Sequence, residues 1–259
     1  MSELFKWGVK QGFNWVEVRD FELNFSETEL LTIKTAAKRC GLRVHYAWDT
    51  TSVYKIEDRE RILKGICNAA LFGSGTCSRI VIAPELMNPA AGKSGYSVAE
   101  FQVLTKNIRE YVQYANERGV TLVFENSLEP IDTFEALLEN LPDMRMTFDT
   151  ANTFNEANTG ATLSWPQLKA FTARRKEQIP YVHLKSFKDG VTQSELLPDG
   201  KVPLKELMSL LDPTAWLCVG LPSNDQLSSG LERVANGLRL VKSLECFTKN
   251  SSRSPSVSP

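Results

Sequence analysis

The sequence lacks the patterns that define several large functional classes. Its five cysteines are scattered without CxxC or zinc-finger spacing, so they indicate reduced thiols rather than disulfides or a structural zinc site. The 30 basic residues balance the 31 acidic ones, which argues against a protein that binds nucleic acid by neutralising phosphates. No segment approaches the roughly 20 apolar residues of a membrane span, and the first residues are too polar for a secretory signal. We therefore expect a cytoplasmic protein that binds neither nucleic acid nor a membrane.

What the sequence does contain is a regular alternation of helix and strand patterns. Two predicted helices begin with a capping box, Ser26 with Glu29 and Ser97 with Glu100, and end at Gly41 and Gly119. Segments rich in β-branched and aromatic residues follow the helices. Seven strands are predicted, with the sequences "NWVEVR", "LRVHYAW", "SRIVIAPE", "VTLVFEN", "MRMTFD", "YVHLKSF" and "WLCVGLP".

Strands that alternate with helices of this length predict βαβ units and a parallel sheet. A (β/α)8 barrel needs eight strands, and a doubly wound sheet is the alternative. No glycine-rich phosphate loop follows any strand, so we favour an α/β fold of the TIM-type (β/α) barrel class. The first ten residues resemble the end of a helix with no strand before it, so we expect this barrel to lack the first of its eight strands. Residues 1–247 are predicted to form one barrel domain, and residues 248–259 a disordered Ser/Pro-rich tail.

A barrel without its first strand leaves an unpaired edge on each side of the gap. These edges are the "NWVEVR" and "WLCVGLP" strands, and unpaired edges favour association with another chain. Two outcomes are therefore expected. Either the two strands pair directly in a smaller barrel, or a second subunit covers the gap, which makes the protein a homodimer.

Polar residues are concentrated where the predicted strands end, which is where barrel enzymes carry their catalytic groups. Glu125, Asp149 and His183 end three consecutive strands, and two carboxylates with an imidazole suit a divalent metal ion. Each of them also has an ordinary structural interpretation: a solvated glutamate, a helix-capping aspartate or a packed histidine. The chain has only two histidines, and the other one, His45, lies within a strand, which favours a core position.

Three further residues near strand ends are candidates for substrate binding: Trp48, Glu85 and Asn152. Asn152 belongs to the polar segment "FDTANTF", which could contact substrate hydroxyls. Its alternative role is to cap the segment that follows.

The segments "LVFEN", "MTFDTAN", "YVHLKSF" and "WLCVGLP" resemble, in order and spacing, those of the xylose isomerase-like TIM barrels. This superfamily includes sugar isomerases, sugar epimerases and AP endonucleases, and the resemblance covers nearly the whole chain. Within it, "MTFD..N", "YVH.K" and a following "DG" are similar to epimerase-like proteins encoded with 2-ketogluconate utilisation. The resemblance implies that Glu125, Asp149 and His183 are three of the four ligands of a divalent ion: Mn²⁺, Zn²⁺ or Mg²⁺.

The activity that the resemblance implies is isomerisation or epimerisation of a sugar, sugar acid or sugar phosphate through an enediolate. Glu125 would be the catalytic base, and Lys185 would be a second catalytic residue that contacts a substrate oxyanion or phosphate. One departure concerns Gly220, which stands where the family has a fourth ligand that is also a second acid–base glutamate. The alternative is therefore a degenerate, non-catalytic barrel that binds a small sugar or polyol. An AP endonuclease would need several metal-binding histidines and a basic groove, and the chain has neither.

Overall fold

The structure is a computed structural model that describes residues 2–49, 51–87, 95–127, 129–154, 164–189, 191–193, 200–219 and 227–251. Its strands are β1 (Trp15–Arg19), β2 (Arg43–Ala47), β3 (Thr76–Val81), β4 (Val120–Glu125), β5 (Arg145–Asp149), β6 (Tyr181–Leu184), β7 (Ser186–Lys188), β8 (Val191–Gln193) and β9 (Trp216–Val219). Its α-helices are α1 (Ser2–Gln11), α2 (Glu27–Arg39), α3 (Arg59–Ala70), α4 (Val98–Asn116), α5 (Ile131–Asn140), α6 (Trp165–Arg175), α7 (Leu204–Leu210) and α8 (Leu227–Ser251).

Seven of the strands form one parallel sheet in the order β1-β2-β3-β4-β5-β6-β9. The sheet curves into a nearly closed barrel, with the helices on its outer face. All seven strands predicted from the sequence are therefore present, and the predicted TIM-type barrel that lacks one strand is confirmed.

Local sequence signals explain where the helices begin and end. Ser26 and Glu29 form a reciprocal capping box at the start of α2, and Ser97 with Glu100 forms another at the start of α4. Gly41 and Gly119, which follow these helices, have φ angles of +73° and +69°, which glycine adopts at little cost. These turns return the chain to the amino-terminal end of the barrel, where the next strand begins.

The core lies between the barrel wall and the surrounding helices, and it includes Leu30, Ile62, Leu104 and Phe134 from four different helices. Among the described residues, no helix is both long and apolar enough to cross a membrane.

The barrel has a gap between β1 and β9. Neither strand pairs with the other in the described part of the chain, so the expectation of direct pairing is not met there. A cavity of about 510 Å³ lies at the gap, and α1 contributes Phe5, Trp7 and Gly8 to its wall. Coverage of this gap by a second subunit stays a prediction.

The segment "YVHLKSF" was expected to be one strand and instead forms two. β6 ends at Leu184, and β7 begins at Ser186 and pairs with β8 in an antiparallel hairpin outside the main sheet. Lys185 lies at the break between β6 and β7. Gly220 and residues 252–259 lie outside the described residues, and α8 continues to Ser251.

Candidate metal centre and its comparisons

Glu125, Asp149 and His183 converge inside the barrel at the ends of β4, β5 and β6. One possible ligand atom from each of them lies within 4.8 Å of the other two. The Nδ1 atom of His183 is 3.2 Å from a Glu125 carboxylate oxygen and 3.9 Å from Asp149 Oδ2. The three side chains are almost fully buried, with exposed fractions of 6%, 0% and 2% in chain order. Asp149 and His183 are register partners on adjacent parallel strands, which explains why they lie at the same level along the barrel axis.

A polar frame holds Asp149 in place. The Oδ1 atom of Asn126 accepts a hydrogen bond from the Asp149 backbone N–H (2.7 Å), and Asn126 Nδ2 donates to the Asp149 carbonyl (3.2 Å). The Asp149 carboxylate accepts bonds from the backbone N–H groups of Ala151 (3.0 Å) and Asn152 (3.2 Å). This frame fixes the carboxylate against the end of β5 and turns its Oδ2 atom towards Lys185 and His183.

Two cations of the chain lie against the same carboxylates. Lys185 Nζ is 2.5 Å from Asp149 Oδ2, and the guanidinium of Arg79, on β3, forms an ion pair with Glu125. Arg79 also contacts Asp49 (2.7 Å) and lies 3.8 Å from Glu17. The buried arginine is therefore shared by three acidic residues, and it balances charge that could not remain buried alone.

His183 lies between two glutamates. Its Nε2 atom is 2.9 Å from Glu17 Oε2, on the side opposite to Glu125. Burial alone would lower the pKa of His183, but the carboxylates of Glu17 and Glu125 raise it to about 9. Without a bound metal ion, this imidazole is protonated at neutral pH and can donate to both glutamates.

The same contacts keep the acids ionised. Burial opposes ionisation of Glu125, but Arg79 and His183 hold its pKa well below the ordinary range. His183 and Arg79 lower the pKa of Glu17 in the same way, against the opposing effect of burial. Asp149 raises the pKa of Lys185, although burial of the ammonium group acts in the other direction.

The remaining candidates from the sequence have different surroundings. Trp48 is fully buried and donates from Nε1 to Thr51 Oγ1 (2.8 Å), so the structure does not bring it to the three metal-ligand candidates. Glu85 is exposed and accepts a hydrogen bond from Ser52. Asn152 does lie beside the centre, where its Nδ2 atom donates to the Asn126 carbonyl (2.9 Å).

Sequence reasoning missed Glu17, Arg79 and Cys218, which all lie at or near the centre. Glu17 and Cys218 are internal strand residues rather than strand ends, and Arg79 lies in the middle of β3, all of whose residues are buried. A charged residue in the middle of a buried strand was the available signal, since such a residue needs a partner of opposite charge.

The donor set fits a divalent cation. Two of the distances among its donor atoms, 3.2 and 3.9 Å, match those between ligands of one ion with bonds of about 2.1 Å, and the third lies within 4.8 Å, so that only a small adjustment is needed. Binding would have to displace the proton on His183 Nδ1 and loosen the contacts of Arg79 and Lys185. Glu125, Asp149 and His183 are therefore the residues that would hold such an ion.

The sequence profile of the xylose isomerase-like TIM barrels matches residues 5–244. The chain belongs to this family. The predicted superfamily is thus confirmed, whereas the closer likeness to 2-ketogluconate-type proteins stays a prediction. A search of curated protein sequences found no significant match.

Solved structures of similar fold include several members of this family. A xylose isomerase-like TIM barrel protein from Mycobacterium smegmatis in complex with magnesium is 15% identical, with a TM-score of 0.68 over 96% of this chain and 88% of that one. An L-ribulose 3-epimerase is 11% identical (TM-score 0.74, 99% and 93% covered). A D-psicose 3-epimerase, solved in the presence of D-fructose, is 13% identical (TM-score 0.70, 94% and 93% covered). At these identities the likeness shows the fold.

Proposed function

We propose that the protein is a divalent-metal-dependent isomerase or epimerase of a sugar, sugar acid or sugar phosphate. The observation that carries this proposal is the convergence of Glu125, Asp149 and His183 donor atoms within 4.8 Å, inside a barrel of this family. Its relatives of similar fold include sugar epimerases, which supports a carbohydrate substrate. When bound, the metal ion would supply Lewis-acid polarisation of a substrate carbonyl.

In this proposal Glu125 is the catalytic base. Its carboxylate takes a proton from the carbon beside the carbonyl group; the electron pair of the C–H bond forms a C=C bond, and the π pair of the carbonyl group moves to its oxygen to give an enediolate. Isomerisation is completed when the hydroxyl proton of the attacked carbon moves to the former carbonyl oxygen and Glu125 returns its proton to the former carbonyl carbon, whereas return of a proton to the original carbon from the other face gives the epimer. Arg79 and His183 keep Glu125 ionised at neutral pH, and the same contacts lower its basicity, so the base role requires that they loosen when metal and substrate bind.

Lys185 is proposed to contact the negative oxygen that forms. It lines the cavity at the gap, and a fifth of its side chain (20%) is exposed, so that it can reach a ligand there while remaining beside Asp149. An ammonium group in this position also suits the anionic group of a sugar acid or sugar phosphate. Asn152 and Glu85 remain candidates for substrate contact, whereas the ring of Trp48 is fully buried against α3.

Solvent deuterium exchange tests this proposal. A panel of aldoses, ketoses and sugar acids is incubated with the protein and Mn²⁺ in D₂O, and C–D bonds are detected by NMR. We expect incorporation with the natural chain, and a loss of roughly 100-fold or more in Glu125→Gln. The control is Glu135→Gln, because Glu135 pairs with Arg174 and Arg175 on the outer surface and should not affect exchange.

A second candidate function is a barrel that binds a sugar or polyol without turning it over. It is favoured by Arg79 and Lys185, which already neutralise Glu125 and Asp149. A protein that is purified without metal, binds a sugar and incorporates no deuterium even when Mn²⁺ is added would support this alternative and contradict the enzyme. If exchange appears only after Gly220→Glu restores the carboxylate that the family has at that position, the natural chain has lost the chemistry.

A further inference from the structure

A second group of metal-ligating side chains lies on the other side of His183. It consists of Glu17 on β1, His183 on β6 and Cys218 on β9, and one ligand atom from each lies within 4.8 Å of the others. His183 and Cys218 are direct register partners on adjacent parallel strands, so both side chains point to the same face of the sheet. Glu17 reaches the group from across the gap, where its Oε2 atom is 2.9 Å from His183 Nε2.

This group differs from the candidate centre in its donor atoms and in its access. His183 presents Nδ1 to Glu125 and Asp149 but Nε2 to Glu17, so the two groups share an imidazole without sharing a donor atom. All three residues of this second group line the cavity of about 510 Å³, whereas Glu125 and Asp149 do not. An ion bound here would keep an open coordination position towards the cavity.

We propose that Glu17, His183 Nε2 and Cys218 form a zinc-binding site that links the two open edges of the barrel. A thiolate, an imidazole and a carboxylate together select a borderline-soft ion such as Zn²⁺ over Mg²⁺. Three protein ligands with a fourth position open to solvent or to a ligand is the usual arrangement of an accessible zinc site. Donor atoms around one zinc ion lie roughly 3–4 Å apart, so only a small adjustment of these side chains is needed.

The local charge is compatible with the ion. Binding of Zn²⁺ releases the thiol proton of Cys218 and a proton of His183 to solvent, so the net charge of the group is unchanged. Burial raises the pKa of the Cys218 thiol, so the bound ion has to displace the thiol proton at neutral pH. Arg19 Nε lies 2.7 Å from Glu17 Oε1, whereas Glu17 Oε2 faces His183 and also accepts a hydrogen bond from the Tyr181 hydroxyl, which an ion bound there would have to replace.

The site would have a structural consequence, because its ligands come from both sides of the gap. β1 and β9 carry no backbone pairing to each other in the described residues. A zinc ion that bridges Glu17 and Cys218 would replace part of the connection that a further strand provides in a closed barrel. Zinc should therefore raise the thermal stability of the protein, independently of any catalytic activity.

Cobalt substitution tests this site on the full-length chain after removal of metals with a chelator. We expect one equivalent of Co²⁺ to give a thiolate-to-cobalt charge-transfer band in the near ultraviolet, and Zn²⁺ to abolish the band and raise the melting temperature. Cys218→Ser, a nearly isosteric change, should lose the band and the thermal shift. The control Cys67→Ser should keep both, because Cys67 is exposed on α3 and contacts Tyr114.

Asp149→Asn separates this site from the proposed catalytic centre, since Asp149 is not one of its ligands. We expect the variant to keep the thiolate band. A natural chain that binds Co²⁺ without a thiolate band would overturn the zinc site and leave the proposed function intact. A band that survives in Cys218→Ser, or that is lost in Cys67→Ser, would also overturn the proposed site.

Discussion

At the scale of single residues, the two histidines have opposite electrostatic surroundings although both are buried. His45 Nδ1 accepts a hydrogen bond from the Cys77 backbone N–H (3.0 Å), and no carboxylate of the described residues is hydrogen-bonded to its ring. Burial, with a smaller contribution from Arg43, lowers the pKa of His45 to about 3. His183 has a glutamate on each side, and its pKa is raised. The same residue type is thus neutral in one position and charged in the other at neutral pH.

This contrast predicts how stability depends on pH. The folded pKa of His45 lies below the unfolded value of 6.5, so the unfolded chain takes up the proton first and stability falls as the pH drops below 6.5. Between pH 6.5 and 5, before most carboxylates titrate, the His45 contribution to the free energy of unfolding should fall by roughly 1.5–2 kcal/mol, and His183, whose pKa is raised by folding, offsets a small part of this loss. His45→Gln should flatten this slope in urea titrations of the metal-free protein. An unchanged slope in the variant would contradict this assignment.

Sequence reasoning proposed the strand-end residues of the candidate metal centre but not the internal strand residues that lie beside them. Glu125, Asp149 and His183 were found because catalytic groups of a barrel cluster where strands end. Arg79 and Glu17 were not found, because their contacts join strands that are far apart in the chain. The alternation of side-chain directions along a strand predicts on which face of the sheet a residue lies. It does not predict which side chain of a distant strand that residue contacts.

At the scale of secondary-structure elements, α3 packs against β2 through a close contact between Gly65 and Trp48. A Cβ atom at Gly65 would lie 2.6 Å from two atoms of the Trp48 ring. The ring is fully buried, and its Nε1 atom is held by Thr51, so it cannot move aside without losing that bond. This contact explains why a glycine stands in the middle of a helix, where it has a cost.

Replacement of this glycine should destabilise the protein although alanine is the better helix former. We expect Gly65→Ala to lower the free energy of unfolding by about 1–3 kcal/mol through overpacking against Trp48. Gly8→Ala on α1 is the matched control: a Cβ atom there meets nothing within 4 Å, so a gain of roughly 0.5–1 kcal/mol is expected. Chemical denaturation measures both. Equal effects of the two changes would show that the Trp48 contact does not decide the packing of α3.

The helices and strands were predictable where capping residues and hydrophobic patterns in the same segment indicate the same element. Both capping boxes and all seven strands of the main sheet agree with the sequence patterns, because these patterns act within a few residues. The break at Lys185 was not predictable, because the apolar pattern runs through it. The side chain at this position pairs with Asp149 from the neighbouring strand, and its backbone N–H donates to Thr150 Oγ1 (2.9 Å) instead of to a sheet partner.

At the scale of the whole molecule, the two ends of the gap between β1 and β9 are different. At the end where the strands begin, Trp15 and Trp216 approach each other, with ring centroids 6.1 Å apart. Trp15 also packs near His45 (4.7 Å) and Tyr181 (5.3 Å). At the end where the strands finish, Arg19 and Val219 both line the cavity, and Glu17 meets His183 beside them. Aromatic packing therefore connects the edges at one end, and polar side chains meet at the other.

This arrangement predicts that Trp15 holds the open barrel together. Trp15→Ala should lower the free energy of unfolding by about 3 kcal/mol, the lower end of the range for buried tryptophan, because its ring is only partly buried. Trp15→Phe keeps an aromatic ring between His45 and Tyr181 and should cost clearly less. Urea denaturation, followed by circular dichroism at several protein concentrations, measures both effects.

If a second subunit covers the gap, the midpoint of urea denaturation will rise with protein concentration and the loss of stability in Trp15→Ala will shrink. A concentration-independent loss below 1 kcal/mol would mean that the helices, and not this aromatic contact, hold the two edges in place.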